Sequence, residues 1–259
     1  VYSKAPHAAA DPQLRAKGIT KVDLIRQAIA RLDDFLTAWP DDPAADEASF
    51  SLASALVELE SWPVALARAE KFAARYPKSS FVDSYWYVMG YSHFALGQHK
   101  QALEMCLKVA QATTKEPATG RDVESRNKWR AIYIMGQIYH ALGQALDAIR
   151  EYEKVVERFP DAREAIEYFN RKAIALEEVT TLRPGEKAEV ELKFRNVAEC
   201  EVKVYRIDLM KFSLLERDLS GITRINLSGI RPLVELKVPL GDGKDFRDRT
   251  KKLELPLTK

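Results

Sequence analysis

"GYSHFALGQ" occupies Gly90–Gln98, and "GQIYHALGQ" occupies Gly136–Gln144. Five of the nine positions are identical, including the whole of A-L-G-Q, at an offset of 46 residues. A phrase repeated at this spacing is the mark of an internal repeat, which decides the architecture before any single element is read. The surrounding punctuation agrees. Trp39-Pro40, Tyr76-Pro77 and Phe159-Pro160 are aromatic-proline pairs, the first two 37 residues apart. The 83-residue gap from Pro77 to Pro160 is two repeats plus an insertion. "TTKEPATGRD", residues 113–122, has the Pro, Gly and charge content of that insertion and reads as a loop.

Each segment between these marks reads as two amphipathic helices. Over 83–96, Trp86, Met89, Gly90 and His93 fall at i, i+3, i+4 and i+7, one helical face. Over 98–112 the face is Ala102, Leu103, Cys106 and Val109. The helices 125–142 and 144–159 repeat the plan with Ile132, Met135, Gly136 and Tyr139, then Ala148, Tyr152 and Val155. An earlier pair spans 44–60 and 62–76, with Leu52, Ala53 and Leu56, then Ala65, Ala69 and Phe72. Helices over 20–39 and 161–178 flank the array, the second as a cap. The small residues let two helices approach closely, and Gly97 and Gly143 permit a positive φ at the turn. No such pair buries its apolar face alone, so the pairs must stack.

This pattern resembles the tetratricopeptide repeat. Trp86, Gly90, Gly97 and Ala102 match its signature in one unit, and Gly136, Tyr139, Gly143, Ala148 and Pro160 in another. The unit at 46–77 keeps Leu52, Ala53, Ala65 and Pro77 but puts Glu60 at the turn glycine. The units are 46–77, 83–112 and 129–160, within a helical solenoid over 20–178. Residues 1–19 read as a poorly ordered or extended lead-in.

After Glu178 the period becomes two. "AEVELKFRN" (188–196) alternates Ala, Val, Leu and Phe against charges, the mark of a half-buried strand. "CEVKVYRIDLM" (200–210), "ITRINL" (222–227), "PLVELKVPL" (232–240) and "KKLELPL" (251–257) continue the series. The expectation for 179–259 is an antiparallel β-sandwich-like domain. The fold class is therefore α + β multidomain, a helical solenoid followed by a sandwich. "PGEKAEVELKFRN", "EVKVYRIDLM" and "LELPL" resemble the macroglobulin-like sandwich of bacterial alpha-2-macroglobulin-like proteins. That resemblance implies a periplasmic or cell-surface setting and a larger protease-trapping protein. The thioester context of that family is lacking, since Cys200 sits in "AECEV". The missing initial Met and a final stretch that reads as a strand suggest a segment of a longer protein.

A catalytic role finds no support in the residue pattern. The net charge of +2 argues against a nucleic-acid partner. No apolar run reaches the ~20 residues of a membrane span. His7, His93, His99 and His140 make no zinc spacing, and His93 is expected to pack in the core. "GDGKDFRD" places Asp242, Asp245 and Asp248 near two glycines without calcium-loop spacing, and reads as a hairpin turn with solvated charges. Ser220 and Ser228 have no evident base partner. Cys106 and Cys200 read as free thiols. No catalytic, cofactor-binding or metal-binding residue is assigned, and no cofactor is expected.

Surface is what remains. In tetratricopeptide arrays the first helix of each unit lines a concave groove. Carried over by position, the candidates are Phe50, Ser54 and Glu58, with Glu47 and Val57 beside them. The next unit offers Ser84, Tyr87, Tyr91 and Phe94, and the last Arg130, Tyr133, Gln137 and His140. Aromatics and Arg are favoured interface anchors. The expected partner is a protein or peptide, and no oligomeric state is implied. Two other readings stand beside it: a structural spacer of a surface assembly, or a regulatory part of an enzyme whose catalytic domain lies elsewhere.

Overall fold

A computed structural model describes residues 5, 11–115, 120–177, 183, 186–211 and 226–257. The chain divides into two compact units, Val1–Ile166 and Glu167–Lys259, a division earlier than the expected one at 178/179.

The first unit is helical: α1 (Pro12–Ala16), α2 (Lys21–Ala38), α3 (Ala45–Glu58), α4 (Trp62–Arg75), α5 (Val82–Ala95), α6 (His99–Gln111), α7 (Lys128–Ala141) and α8 (Ala145–Glu153), with α9 (Pro160–Asn170) following. The lead-in is not extended throughout. Asp11 caps α1 by accepting from the Gln13 and Leu14 amides, and Pro12 begins the helix. Leu14, Ile19 and the buried Ala5 pack against Leu24, Ile25 and Ala55. α2 starts at a capping box, in which Thr20 accepts from the Asp23 amide and Asp23 accepts from the Thr20 amide.

The repeated phrase sits where the sequence put it. Gly97 and Gly143 turn with φ of 72° and 70°, and Glu60 takes 55° at the same place. At all three turns an amide reaches back across the helix end: Ser61 to Leu56, Gln98 to His93 and Gln144 to Tyr139. Stacking buries one face of every pair. Leu52, Leu56, Ala65, Ala69 and Phe72 meet Tyr85 and Val88 of the next unit. Ala102, Cys106 and Val109 likewise meet Ala131, Ile134, Met135 and Ile138.

Two helical expectations are corrected. The insertion is not all loop, because β1 (Thr113–Lys115) pairs antiparallel with β2 (Asp122–Glu124). The cap helix does not run to 178. α9 ends at Asn170, and Ala173–Leu176 form β3. Asn196 explains the stop: its Nδ2 donates to the carbonyls of Phe169 (2.6 Å) and Arg171 (3.0 Å), so the chain end of the helix is held by a residue far along the sequence.

In the second unit, β3 pairs with β4 (Glu189–Arg195), which pairs with β7 (Arg249–Glu254). β5 (Glu199–Val204) pairs with β6 (Val234–Pro239). Both sheets are antiparallel, and they share one small apolar core of Leu192, Phe194, Val238, Leu240 and Leu253. These described strands make two small sheets rather than a full sandwich. β5 ends at Val204, well before the expected 210, and most of the expected strand at 222–227 lies outside the described residues.

"GDGKDFRD" is corrected too. β6 and β7 belong to different sheets, so the segment crosses between layers rather than closing a hairpin. Its charges are not all solvated. The Asp245 side chain is buried against Arg249 at 2.8 Å. Asp248 pairs with Arg195, whose guanidinium also donates to the Phe246 carbonyl and covers the Tyr168 ring.

Candidate interaction surface on the first helices

The first helix of each pair forms an inner layer. α3 touches α5 and α5 touches α7, whereas α4, α6 and α8 make no comparable contact with one another. A layer whose members crowd on one side and splay on the other is curved, with α3, α5 and α7 on the inside. The positions named from the sequence lie on these helices. Phe50, Ser54, Ser84, Tyr87, Tyr91, Phe94, Tyr133 and Gln137 are half-buried, and Glu58, Arg130 and His140 are exposed.

Several of these side chains already have a neighbour to pack on. Phe50 stacks on Phe81 with ring centroids 4.8 Å apart and planes 10° apart. Tyr133 stacks on Phe159 at 4.8 Å and leans on Tyr152 at 5.8 Å. Phe94 lies 6.3 Å from the His99 ring. These three aromatics therefore fasten the array. Tyr87 and Tyr91 are parallel at 6.3 Å, and Trp62 meets Tyr91 edge-on at 5.4 Å. Burial raises the Tyr87 hydroxyl's pKa, opposed in part by the charge of Arg130. Burial also raises that of Tyr133, with the carboxylate of Asp161 adding to it. Glu58 is bonded to Lys21 at 2.5 Å. For Arg130 no ion pair is found among the described residues.

His93 is not a core residue. It is half-buried, and its Nδ1 lies 2.6 Å from Gln98 Oε1 at the turn. The helix-turn-helix geometry brings position 93 next to the turn, so the ring ties the end of α5 to Gln98.

The sequence reading missed a set of links between units. Ser79 Oγ donates to Asp46 Oδ2 at 2.5 Å, and Tyr85 OH donates to Asp46 Oδ1 at 2.8 Å. One repeat on, the buried Ser125 Oγ donates to the buried Asp83 Oδ2 at 2.5 Å, and Asn127 Nδ2 donates to Ser84 Oγ at 3.0 Å. Each serine also accepts from the amide two residues on, Phe81 and Asn127. Asp46 and Asp83 both stand 37 residues apart in register with the Trp39 and Tyr76 marks. That coincidence was the available signal. Among the described residues no group of His, Cys, Asp or Glu could hold a metal ion. Among these residues no helix is long and apolar enough to cross a membrane.

Residues 15–183 match the family described as YfiO, outer membrane lipoprotein. The match covers the helical array and ends before β4. No curated protein matches the chain significantly. Among solved structures, a tetratricopeptide repeat protein from Parabacteroides merdae is 16% identical, with a TM-score of 0.43 over 64% of this chain and 59% of that one. The TPR-like repeats of a kinesin light chain from Podosopora anserina are 17% identical, with a TM-score of 0.42 over 60% of this chain and 74% of that one. This chain spans less than two thirds of the Parabacteroides merdae protein. With the family matching well over half of its length, the chain belongs to the YfiO outer membrane lipoprotein family.

Proposed function

We propose that the inner layer of α3, α5 and α7 docks a protein or an extended peptide, without catalysis. The contact between successive first helices carries this reading, because it makes one continuous surface from residues of three repeats. Repeat arrays use surfaces of this kind as scaffolds. The site centres on Ser84, Tyr87, Tyr91, Arg130, Gln137 and His140. Phe50, Phe94 and Tyr133 shape its wall while packing internally, and Ser54 and Glu58 edge it. Tyr87 and Tyr91 offer rigid rings at low entropic cost, and Arg130 offers a charge with no ion pair among the described residues.

The proposed setting is the periplasm or the cell surface, supported by the family's description as outer membrane lipoproteins. A larger macroglobulin-like protein is the finer version of that setting. Two antiparallel sheets around a shared apolar core support it.

Site-specific photocrosslinking tests the docking. A crosslinker at Gln137 should give a discrete protein adduct in periplasmic extract, and one at Glu104 on the second helix α6 should not. Arg130→Glu should abolish the Gln137 adduct with an unchanged melting temperature. Equal labelling from both positions would sink the proposal.

A further inference from the structure

Among the described residues the two sheets of the second unit are unequal: β3, β4 and β7 make three strands, while β5 and β6 make two. β3 lies at one edge of its sheet, and β5 has a neighbour on one side only among the described residues. Between them runs an open trough of about 330 Å³, lined by Ile174, Leu176, Leu192, Cys200, Val202 and Lys203 among others. Ile174 and Leu176 pair with Phe194 and Leu192, so they point to the core side, yet they are 49% and 50% exposed. Cys200 and Val202 face the same core and are only half-buried. Among the described residues the core is thus left uncovered here, where a third strand beside β5 would lie.

The backbone sets what such an occupant must be. The Leu240 amide donates to the Ala198 carbonyl, so the residue pairs 198/240, 200/238, 202/236 and 204/234 are the hydrogen-bonded ones. Glu199, Glu201 and Lys203 therefore turn their amides and carbonyls away from β6, towards the open edge. A row of this kind pairs with another extended chain. Charge narrows the choice further. Lys203 is already bonded to Glu201 at 3.0 Å and Glu235 at 3.2 Å. Glu199 has no ion pair among the described residues.

We propose that the open edge of β5 accepts an extended segment of a partner protein, apolar on the face that enters the trough and basic on the other. Its apolar residues cover Ile174, Leu176 and Val202. A basic residue stands opposite Glu199, since Glu201 is already bonded to Lys203 and lies across from Lys237 on β6.

Amide hydrogen exchange on the whole chain tests this, with a short capped peptide of alternating valine and lysine as the probe. The peptide should slow exchange at Glu199, Glu201 and Lys203 by about tenfold or more. Two variants should each weaken its binding by about tenfold or more: Glu201→Pro, which removes an outward amide, and Leu176→Lys, which fills the trough without touching β5. A valine–glutamate peptide should bind more weakly. No protection by the first peptide, or protection indifferent to both variants, overturns the proposal. So does protection of the three amides without peptide, whether at low protein concentration, where this chain fills its own edge, or only at high concentration, where a second copy does. Equal binding of the two peptides overturns the basic character assigned to the partner. None of these readouts depends on the inner layer of the helices.

Discussion

A methyl group on Gly136 would stand 2.7 Å from Cδ1 and Cε1 of Tyr152. The ring packs close to the α7 backbone because nothing projects there, and the Tyr133 ring lies beside it at 5.8 Å. Gly136→Ala must push the Tyr152 ring, which is 3% exposed. The expected loss is about 1–3 kcal/mol from overpacking, less the ~1 kcal/mol that alanine gains in helix propensity. At Gly90 the same methyl would meet Cys106 Sγ at 3.0 Å, Met105 Cβ at 3.3 Å and the Cys106 amide nitrogen at 3.4 Å, all longer than the 2.7 Å contacts at Gly136, so Gly90→Ala should cost less. Urea midpoints of the two variants check the order, and a larger loss at Gly90 contradicts it.

Glu60 turns with a φ of 55° where the other two hairpins use glycine. A side chain in that region costs about 1–2 kcal/mol. Glu60→Gly should therefore raise stability by roughly 1 kcal/mol, while Gly97→Ala and Gly143→Ala lower it by a similar amount. Nothing stands within 4 Å of the Cβ position at Gly97 or Gly143, so strain alone acts there. Thermal melts of the three variants give the sign of each change.

Ser125 and Asp83 are 3% exposed, and the bond between them joins two repeats. Ser125→Ala leaves a buried carboxylate oxygen short of its donor, and removes the acceptor for the Asn127 amide. The expected loss is about 1–3 kcal/mol. Ser79→Ala removes the matching bond to Asp46, but Asp46 is half-buried and keeps Tyr85 OH, so the loss should be smaller. Denaturant titration of both variants separates the two sites.

Burial pushes the Tyr152 hydroxyl from an ordinary 10.0 up to about 12. The folded chain thus holds a proton that the unfolded chain gives up sooner. The stabilisation is complete below pH 10 and is lost as pH rises from 10 to about 12. Burial moves the Cys106 thiol the same way, to about 12, so it too should stay unreactive towards an alkylating reagent at pH 8. Tyr152→Phe should flatten the fall in stability between pH 10 and 12. Urea midpoints across that range test it, and an unchanged slope contradicts it.

Short-range chemistry was legible in the chain. The turn at 97 and 143 follows from glycine's freedom at positive φ, and the close approach at 90 and 136 from its missing side chain. The alternation in 189–195 follows from the two-residue period of a strand. These local rules place the repeat register, the three hairpins and the first-helix positions. What the sequence left open depends on partners distant along the chain. "AIALEE" at 173–178 suits a helix by itself, and becomes a strand at 173–176 because β4 offers it a ladder and Asn196 holds the carbonyls of Phe169 and Arg171. Tyr133 and Phe50 read as free groove aromatics until Phe159 and Phe81 are brought beneath them. The local code states which face of a helix is apolar. Which neighbour covers each half-buried ring is decided by packing between residues 26 and 31 positions apart in those two pairs, and only the tertiary structure sets that distance to contact.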